Sequence, residues 1–362
     1  MATIRDVARE AGVSIATVSR VFNSSSLVSE DTAQRVMQVA ARFDYWPNGA
    51  AQSLTTNRTN TIGVLLPDLF GEFYSEVIRG IDSVVQLESY QMMLSSSHAD
   101  NEEILMAARS MLGRIDGLLM MAPDDASAET VNRIRRRLPL VLLNPATSVD
   151  PTGSVSIDNF SGALQAVNHL LGMGHRHIAM ICGPEGNRDA NERLRGFNQA
   201  LSAAGHDPAD AVVLPGDFRE PSGFSAGVAL AKCTPRPTAV FVANDSMAVG
   251  LLAACAGLGL DVPGDLSVVG FDDVDIAGYL RPPLTTVRAD AFALGHSAAQ
   301  MMINEIQAPE DGAGKNILLP ATLKIRRSCG AKPNWKVTDG DKKSMTANQQ
   351  GATGLSGNSR TE

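Results

Sequence analysis

Short apolar runs separated by helical segments, in two successive series, constrain this chain more than any other feature of its sequence. The first series is 62–66, 91–94, 117–121 and 140–143, each run ending near Pro, Asp, Ser or Asn. Between these runs the pattern predicts helices over about 72–88, 101–113 and 127–137. The second series is 178–181, 211–214, 239–242 and 267–270, with helices over about 160–173, 189–204, 222–232 and 245–258. Strands that are apolar on both faces and joined by helices belong in a parallel sheet covered on both sides. Two such series predict an α/β body of two doubly wound parallel-sheet lobes. Ligands of open α/β sheets bind beyond the carboxyl ends of the strands, so the cleft between lobes is the expected small-molecule site.

The first 46 residues follow a different pattern and predict an all-α unit. Thr3 can cap a first helix whose third position is Asp6, and Ile4, Val7, Ala8 and Ala11 form one apolar face. Gly12 suits a left-handed helix end, Val13 can plug the core, and Ser14 can cap a second helix over 15–22. Val18 and Val21 then face inward, leaving Ile15, Ala16, Ser19 and Arg20 outward. A third helix from Ser29 to about Phe43 turns Ala33, Val36, Val39 and Ala40 inward. Two helices joined through Gly in this way can lay the second in a DNA major groove. An ordinary three-helix bundle has the same pattern, and in that reading Ile15 is a core residue. Net charge is −8, but residues 1–60 hold six Arg against five acids, so the acidic excess lies in the body. That distribution allows DNA binding by the head only.

The residues themselves carry a resemblance. The stretches TIRDVAREAGVSIATVSRVFN at 3–23, VSEDT at 28–32 and YWPNGAAQSL at 45–54 closely resemble the DNA-binding region of the LacI/GalR repressor family. The likeness continues in order through TIGVLLP at 61–67, GHRHI at 174–178, RLRGF at 193–197, ANDSMA at 243–248, SVVGFD at 267–272 and PLTT at 283–286. It implies a helix-turn-helix head over 1–46, a hinge and linker over 47–61, and an effector domain over 62–330. That domain is expected to be a type I periplasmic-binding-protein-like pair of lobes, 62–159 with 290–319 and 161–288 with 322–330. The chain would cross between them near 159–161, 288–291 and 318–323.

For DNA, the resemblance assigns base contacts to Ile15, Ala16 and Arg20 and adds Asn23 to the binding set. Ile15 and Ala16 can offer only apolar contact to thymine methyls, while Arg20 can grip guanine O6 and N7. Ser14, Thr17 and Ser19 are better placed for phosphates, which fix register. Leu54 matches the leucine that wedges between base pairs at the centre of a pseudo-palindromic operator. Family members often carry Arg or Lys in this hinge, but Gln52 and Thr55 stand here, leaving Arg58 to supply a phosphate contact. For the effector, the implied positions are Phe73, Tyr74, Asn144, Asp158, Asn187, Asp189, Arg193, Phe218, Asn244 and Asp272. Their chemistry suits a sugar: an Arg fork, carboxylates and amides for hydroxyls, and rings for an apolar face. Asp158 can equally cap the helix that follows it, and Phe73 can equally be lobe core. Asn187 and Asp189 stand where purine-responsive relatives carry a different polar set, which disfavours a purine. The expected partners are operator DNA, a small-molecule effector and a second copy of the chain joined through the first lobe.

Other chemistry is not indicated. Cys182, Cys233, Cys255 and Cys329 are scattered without metal spacing and read as reduced thiols. The run Asp272-Asp273-Val274-Asp275 lacks the alternating ligands of a calcium loop, so no metal and no cofactor are expected. No nucleophile elbow, Walker loop or dinucleotide fingerprint occurs, which disfavours a sugar-processing enzyme. The start of the chain has no apolar signal core and no stretch reaches membrane-spanning length, so the expected compartment is the cytoplasm. That also disfavours a periplasmic sugar carrier. Arg133, Arg135, Arg136 and Arg137 read as a solvated helix end. Residues 331–362 are polar, with Leu355 their only leucine, and predict a disordered tail without a coiled coil.

Overall fold

The computed structural model describes residues 2–22, 27–46, 58–97, 101–121, 127–145, 149–150, 152–308 and 314–330. Asn23, the hinge with Leu54, and the tail after Gly330 lie outside the described residues.

The head is three helices: α1 (Ile4–Glu10), α2 (Ile15–Phe22) and α3 (Glu30–Arg42). The Thr3 side chain and the Asp6 carboxylate cap each other's backbone N–H at the start of α1. Gly12 takes φ +64°, the left-handed conformation that ends α1, and the Ser14 hydroxyl accepts from Thr17 N at 3.0 Å to begin α2. Val7, Ala8, Ala11, Val18, Val36, Val39 and Ala40 close a small core. Arg35 ties α3 back to the end of α1 by donating to the Ala11 carbonyl at 3.1 Å.

The body contains β1 (Thr61–Leu66), α4 (Glu72–Leu87), β2 (Gln91–Ser96), α5 (Asn101–Met111), β3 (Gly117–Met120), α6 (Ala128–Arg135), β4 (Leu140–Leu143) and β5 (Ser154–Ile157). It continues with α7 (Asn159–Gly172), β6 (Ile178–Ile181), α8 (Arg188–Ala203), β7 (Val213–Leu214), α9 (Glu220–Leu230), β8 (Ala239–Val242), α10 (Asp245–Leu258) and β9 (Ser267–Asp272). Last come β10 (Thr285–Arg288), α11 (Ala291–Gln307), β11 (Asn316–Leu319) and β12 (Thr322–Lys324). Among the described residues these strands make two sheets, ordered β11-β5-β4-β3-β1-β2 and β12-β10-β9-β8-β6-β7. All neighbours are parallel except β12, which runs antiparallel to β10. The central strands β3, β4, β6 and β8 are buried along their whole length, as runs apolar on both faces require.

The chain passes between sheets after β5, after β10 and after β11, so each lobe is assembled from separate pieces of sequence. Strand β2 continues to Ser96, two residues past its apolar run. At the edge of the second sheet only Val213 and Leu214 pair, against Met180 and Ile181, so the strand expected over 211–214 is shorter. Strands β5, β10, β11 and β12 and helix α11 complete the lobes beyond the two series of apolar runs.

Candidate DNA-reading head and effector cleft

On α2 the inward residues are Val18, fully buried, and the half-buried Val21 and Phe22. Ser14, Ile15, Ala16 and Arg20 are exposed, and Thr17 and Ser19 are half-buried. Ile15 is 46% exposed, which removes it from the core and leaves an isoleucine facing water at the start of the helix. Arg20, five residues further along the helix, is exposed as well.

In the body, buried polar side chains form a chain across the two lobes. Asn144, at the end of β4, accepts from Ile157 N at 3.0 Å and donates to Asp189 Oδ2 at 2.9 Å in the other lobe. Asp189 Oδ1 accepts from Asn159 Nδ2 at 2.9 Å, and Asn159 Oδ1 accepts from Arg193 Nε at 2.8 Å. Arg193 also donates to the Ala243 carbonyl, and its guanidinium lies 3.8 Å from the Phe271 ring centre and 5.8 Å from that of Phe218. Its Nη2 is 3.2 Å from Asp272 Oδ1, an ion-pair distance, but off the N–H direction, so Oδ1 is buried without a hydrogen bond. Burial pushes the Asp272 carboxyl up to about 6; Arg193 opposes that shift and Asp189 adds to it.

Beneath Asp272 lies Asp245, fully buried. Its Oδ1 accepts from the Thr286 hydroxyl at 2.6 Å and its Oδ2 from Val274 N at 3.1 Å. Burial raises its pKa well above the carboxylate range, and the neighbouring Asp272 adds to the rise, against the pull of these two donors. Asp272, Asn144 and Phe218 have φ of +112°, +43° and +67°. Non-glycine residues held in such conformations concentrate where a site imposes its geometry.

The structure therefore brings together Asn144, Asp189, Arg193, Phe218 and Asp272 of the expected effector set. Three others are engaged as helix caps: Asp158 accepts from Ser161 N, Asn187 from Ala190 N and Asn244 from Met247 N. Asn244 also donates to the Phe218 carbonyl at 2.9 Å. Phe73 and Tyr74, half-buried at the start of α4, pack edge to face with ring centres 5.6 Å apart. Sequence reasoning missed Asn159, Asp245 and Thr286. The only signal for the first two was position, since each stands beside a residue already singled out, Asp158 and Asn244.

Comparison with known proteins agrees with this layout. Residues 3–48 match the family described as bacterial regulatory proteins, lacI family, and residues 167–329 match periplasmic binding protein-like domain. The HTH-type transcriptional repressor PurR of Edwardsiella ictaluri is 36% identical over 338 residues, 92% of this chain and 98% of that protein. The chain belongs to the lacI family. Among solved structures, the lac repressor dimer bound to operator and the anti-inducer ONPF aligns with a TM-score of 0.82 at 31% identity, covering 91% of this chain and 99% of that one. The transcriptional regulator CelR–cellobiose complex aligns with a TM-score of 0.69 at 30% identity, covering 91% and 100%. This lacI-family chain is a regulator of transcription, with a DNA-binding head and an effector-binding body. Its relatives are repressors rather than enzymes.

Elsewhere, Arg135 pairs with Asp150 at 3.7 Å and donates to the Thr152 carbonyl at 2.9 Å, while Arg133, Arg136 and Arg137 are exposed at the end of α6. The four cysteines are free, and burial pushes Cys182 up to about 11. Among the described residues no group of His, Cys, Asp and Glu is arranged to hold a metal, and no helix is long and apolar enough to cross a membrane.

Proposed function

We propose that this chain is a homodimeric repressor that reads a pseudo-palindromic operator and releases it when a sugar enters the cleft. One observation carries the effector reading. Asp272 Oδ1 is buried beside the Arg193 guanidinium yet accepts no hydrogen bond, and a buried acceptor of this kind calls for a donor. A sugar hydroxyl supplies one, and its ring can lie against Phe218 or Phe73. The cellobiose complex of the CelR regulator supports a sugar as the ligand class.

On the DNA side, Ile15, Ala16 and Arg20 read bases, with Ser14, Thr17, Ser19 and Asn23 alongside, and Leu54 wedges between the central base pairs. A short segment with Gly49 and two threonines is marginal as a helix in water, so its order comes from DNA and from the dimer mate. Unstacking by the wedge costs a few kcal/mol, offset by contacts along the bent duplex. Arg58 would add a phosphate contact. The corresponding division is a head over 1–46, a hinge over 47–61 and a body over 62–330, within the cytoplasm.

The test is footprinting of the neighbouring promoter with a panel of sugars. The expected result is a protected pseudo-palindrome and one sugar that abolishes protection. Operator affinity should fall roughly 10³–10⁵-fold between about 50 and 200 mM salt if about 6–10 phosphates are contacted. An asymmetric site, or affinity indifferent to salt, overturns the proposal. Equal operator affinity for Leu54→Ala and the unmodified protein removes the wedge.

A further inference from the structure

Residues 58–60 lead into the first lobe, and several of their polar groups are held by it. Asp116, half-buried in the turn before β3, takes three donors at once. Its Oδ1 accepts from Thr59 N at 2.7 Å and from the Thr59 hydroxyl at 2.8 Å, and its Oδ2 accepts from Asn60 N at 2.8 Å. The Asp116 N–H in turn donates to the Thr61 carbonyl at 2.8 Å, which locks the acceptor to the start of β1. From the other side, Gln91 N donates to the Asn60 carbonyl at 2.8 Å. Asn60 sits at φ +48°, a turn that asparagine tolerates and that these bonds fix.

One residue earlier, Arg58 donates to the Ile306 carbonyl at 3.3 Å, at the last turn of α11. A guanidinium at a helix carboxyl end is favoured by the helix dipole and satisfies a carbonyl that has no partner within the helix. Arg58 also lies beside Tyr90, whose phenol is pushed up by burial and drawn back by that charge. Helix α11 begins just beyond the second passage between lobes, where Ala289 N donates to the Asp272 carbonyl at 3.2 Å. It runs 17 residues, about 25 Å. It cannot slide freely along α4, because the two backbones touch through glycine: a Cβ on Gly80 would lie 2.1 Å from the Phe292 carbonyl oxygen, and one on Gly295 2.0 Å from that of Val77.

We infer that Asp116 is a positioning residue for operator binding: with the Ile306 carbonyl it forms a two-point seat that fixes where the hinge leaves the body. The inference rests on the repressor reading for its consequence, but not for its geometry. A loosely tethered head pair must find the register of both half-sites by chance, whereas a seated linker delivers each hinge from one place. Movement of α11 with the cleft then reaches the linker at Arg58.

Trypsin tests the seat without DNA or effector, because the Arg58–Thr59 bond is the one whose N–H Asp116 holds. Cleavage after Arg58 should be about tenfold faster or more in Asp116→Ala, since one hydrogen bond to a charged acceptor is worth that factor. Asp116→Asn should fall between, and Thr59→Val, which keeps the carboxylate, should give a smaller rise. Cleavage after the exposed Arg136 and Arg137 and the melting temperature of the body serve as internal references. Equal rates at Arg58 in all four proteins, or a rise in the variants matched by the same rise at Arg136 and Arg137, overturns the seat. On a pseudo-palindromic fragment selected by the unmodified protein from random DNA, Asp116→Ala should bind about tenfold more weakly and Asp116→Asn should recover part of the loss. If the unmodified protein selects no fragment, the repressor reading fails whatever trypsin reports. If it does and Asp116→Ala binds equally well, Asp116 holds the chain without positioning the hinge.

Discussion

The second lobe brings charge to the cleft, and the first brings rings and an amide. Asp189, Arg193 and Asp272, with Asp245 below, belong to the lobe built on β6, β8 and β9, whereas the opposite wall offers Asn144, Phe73 and Tyr74. Arg193 is held by Asn159, Ala243 and Phe271 without any ligand. The first lobe touches the second across the cleft through single contacts, namely Asn144 on Asp189, Glu72 on the Ile276 N–H at 3.4 Å and Asp68 with Arg219 at 3.5 Å. The last two are solvent-exposed and worth little each. On the proposed reading the second lobe is the receptor and the first its cover.

Removing the centre of the charged wall should have the largest effect. Arg193 is 4% exposed, and its loss leaves Asp272 buried without its cation. Arg193→Ala should destabilise the body by about 3–5 kcal/mol and abolish the sugar response, read by urea unfolding and by titration calorimetry. Arg193→Lys should not rescue it, since a point charge cannot replace a fork that serves two acceptors while pairing with Asp272. Stability unchanged within about 1 kcal/mol would mean that the wall is not built around this residue.

The next effect is on pH. Asp272 titrates at about 6 in the folded protein, above the ordinary 3.8. Between roughly pH 4 and 6 the folded chain holds a proton that the unfolded chain has released, so this group's contribution to stability falls as pH rises through that window. The loss amounts to about 3 kcal/mol at most. Asp272→Asn should flatten the slope. The same carboxylate must be ionised to accept strongly from a hydroxyl, so sugar affinity should drop about tenfold per pH unit below 6. Affinity constant from pH 7 to 5 would place the ligand elsewhere.

Changes in the cover should be smaller. Asn144→Ala removes the cross-cleft hydrogen bond to a charged oxygen of Asp189, worth about 1.5–3 kcal/mol, together with the bond that Asn144 accepts from Ile157 N in its own lobe. Sugar affinity should fall about tenfold while the urea midpoint of the second lobe stays in place. A variant that loses stability as heavily as Arg193→Ala would erase the distinction between receptor and cover.

Legibility in the sequence follows the same division by chemistry. Continuous apolar runs such as 140–143 and 178–181 announce themselves because both faces of a central strand must be apolar, and the structure has them at those residues. Strand β5 reads Ser-Val-Ser-Ile and is nevertheless wholly buried, with Ser154 and Ser156 among the buried polar residues, so hydropathy gave no notice of it. Edge strands β11 and β12 are largely exposed and carry Asn316 and Lys324, which is loop-like composition. In the cleft, Asp272 could be singled out because it ends a strand; Arg193, expected to open a helix, lies in the second turn of α8. Asn159 could not, because its role is to join Arg193 to Asp189, residues 34 and 30 positions away. The caps show how one residue type serves two ends: Asp158, Asn187 and Asn244 are short polar side chains that satisfy helix starts in the structure.

The smallest effect belongs to the aromatic pair of the cover. Phe73 and Tyr74 are only half-buried and meet edge to face, an arrangement worth about 0.5–1.5 kcal/mol beyond the area it hides. Phe73→Leu keeps the apolar contact with the lobe core and removes the ring. If the ring covers the sugar, affinity should drop by roughly threefold to tenfold with stability hardly changed, because that range of energy converts to no more. A loss of stability with affinity intact would return Phe73 to the lobe core. The cover would then act through Asn144 alone, and the first lobe would hold the ligand in place without taking part in choosing it.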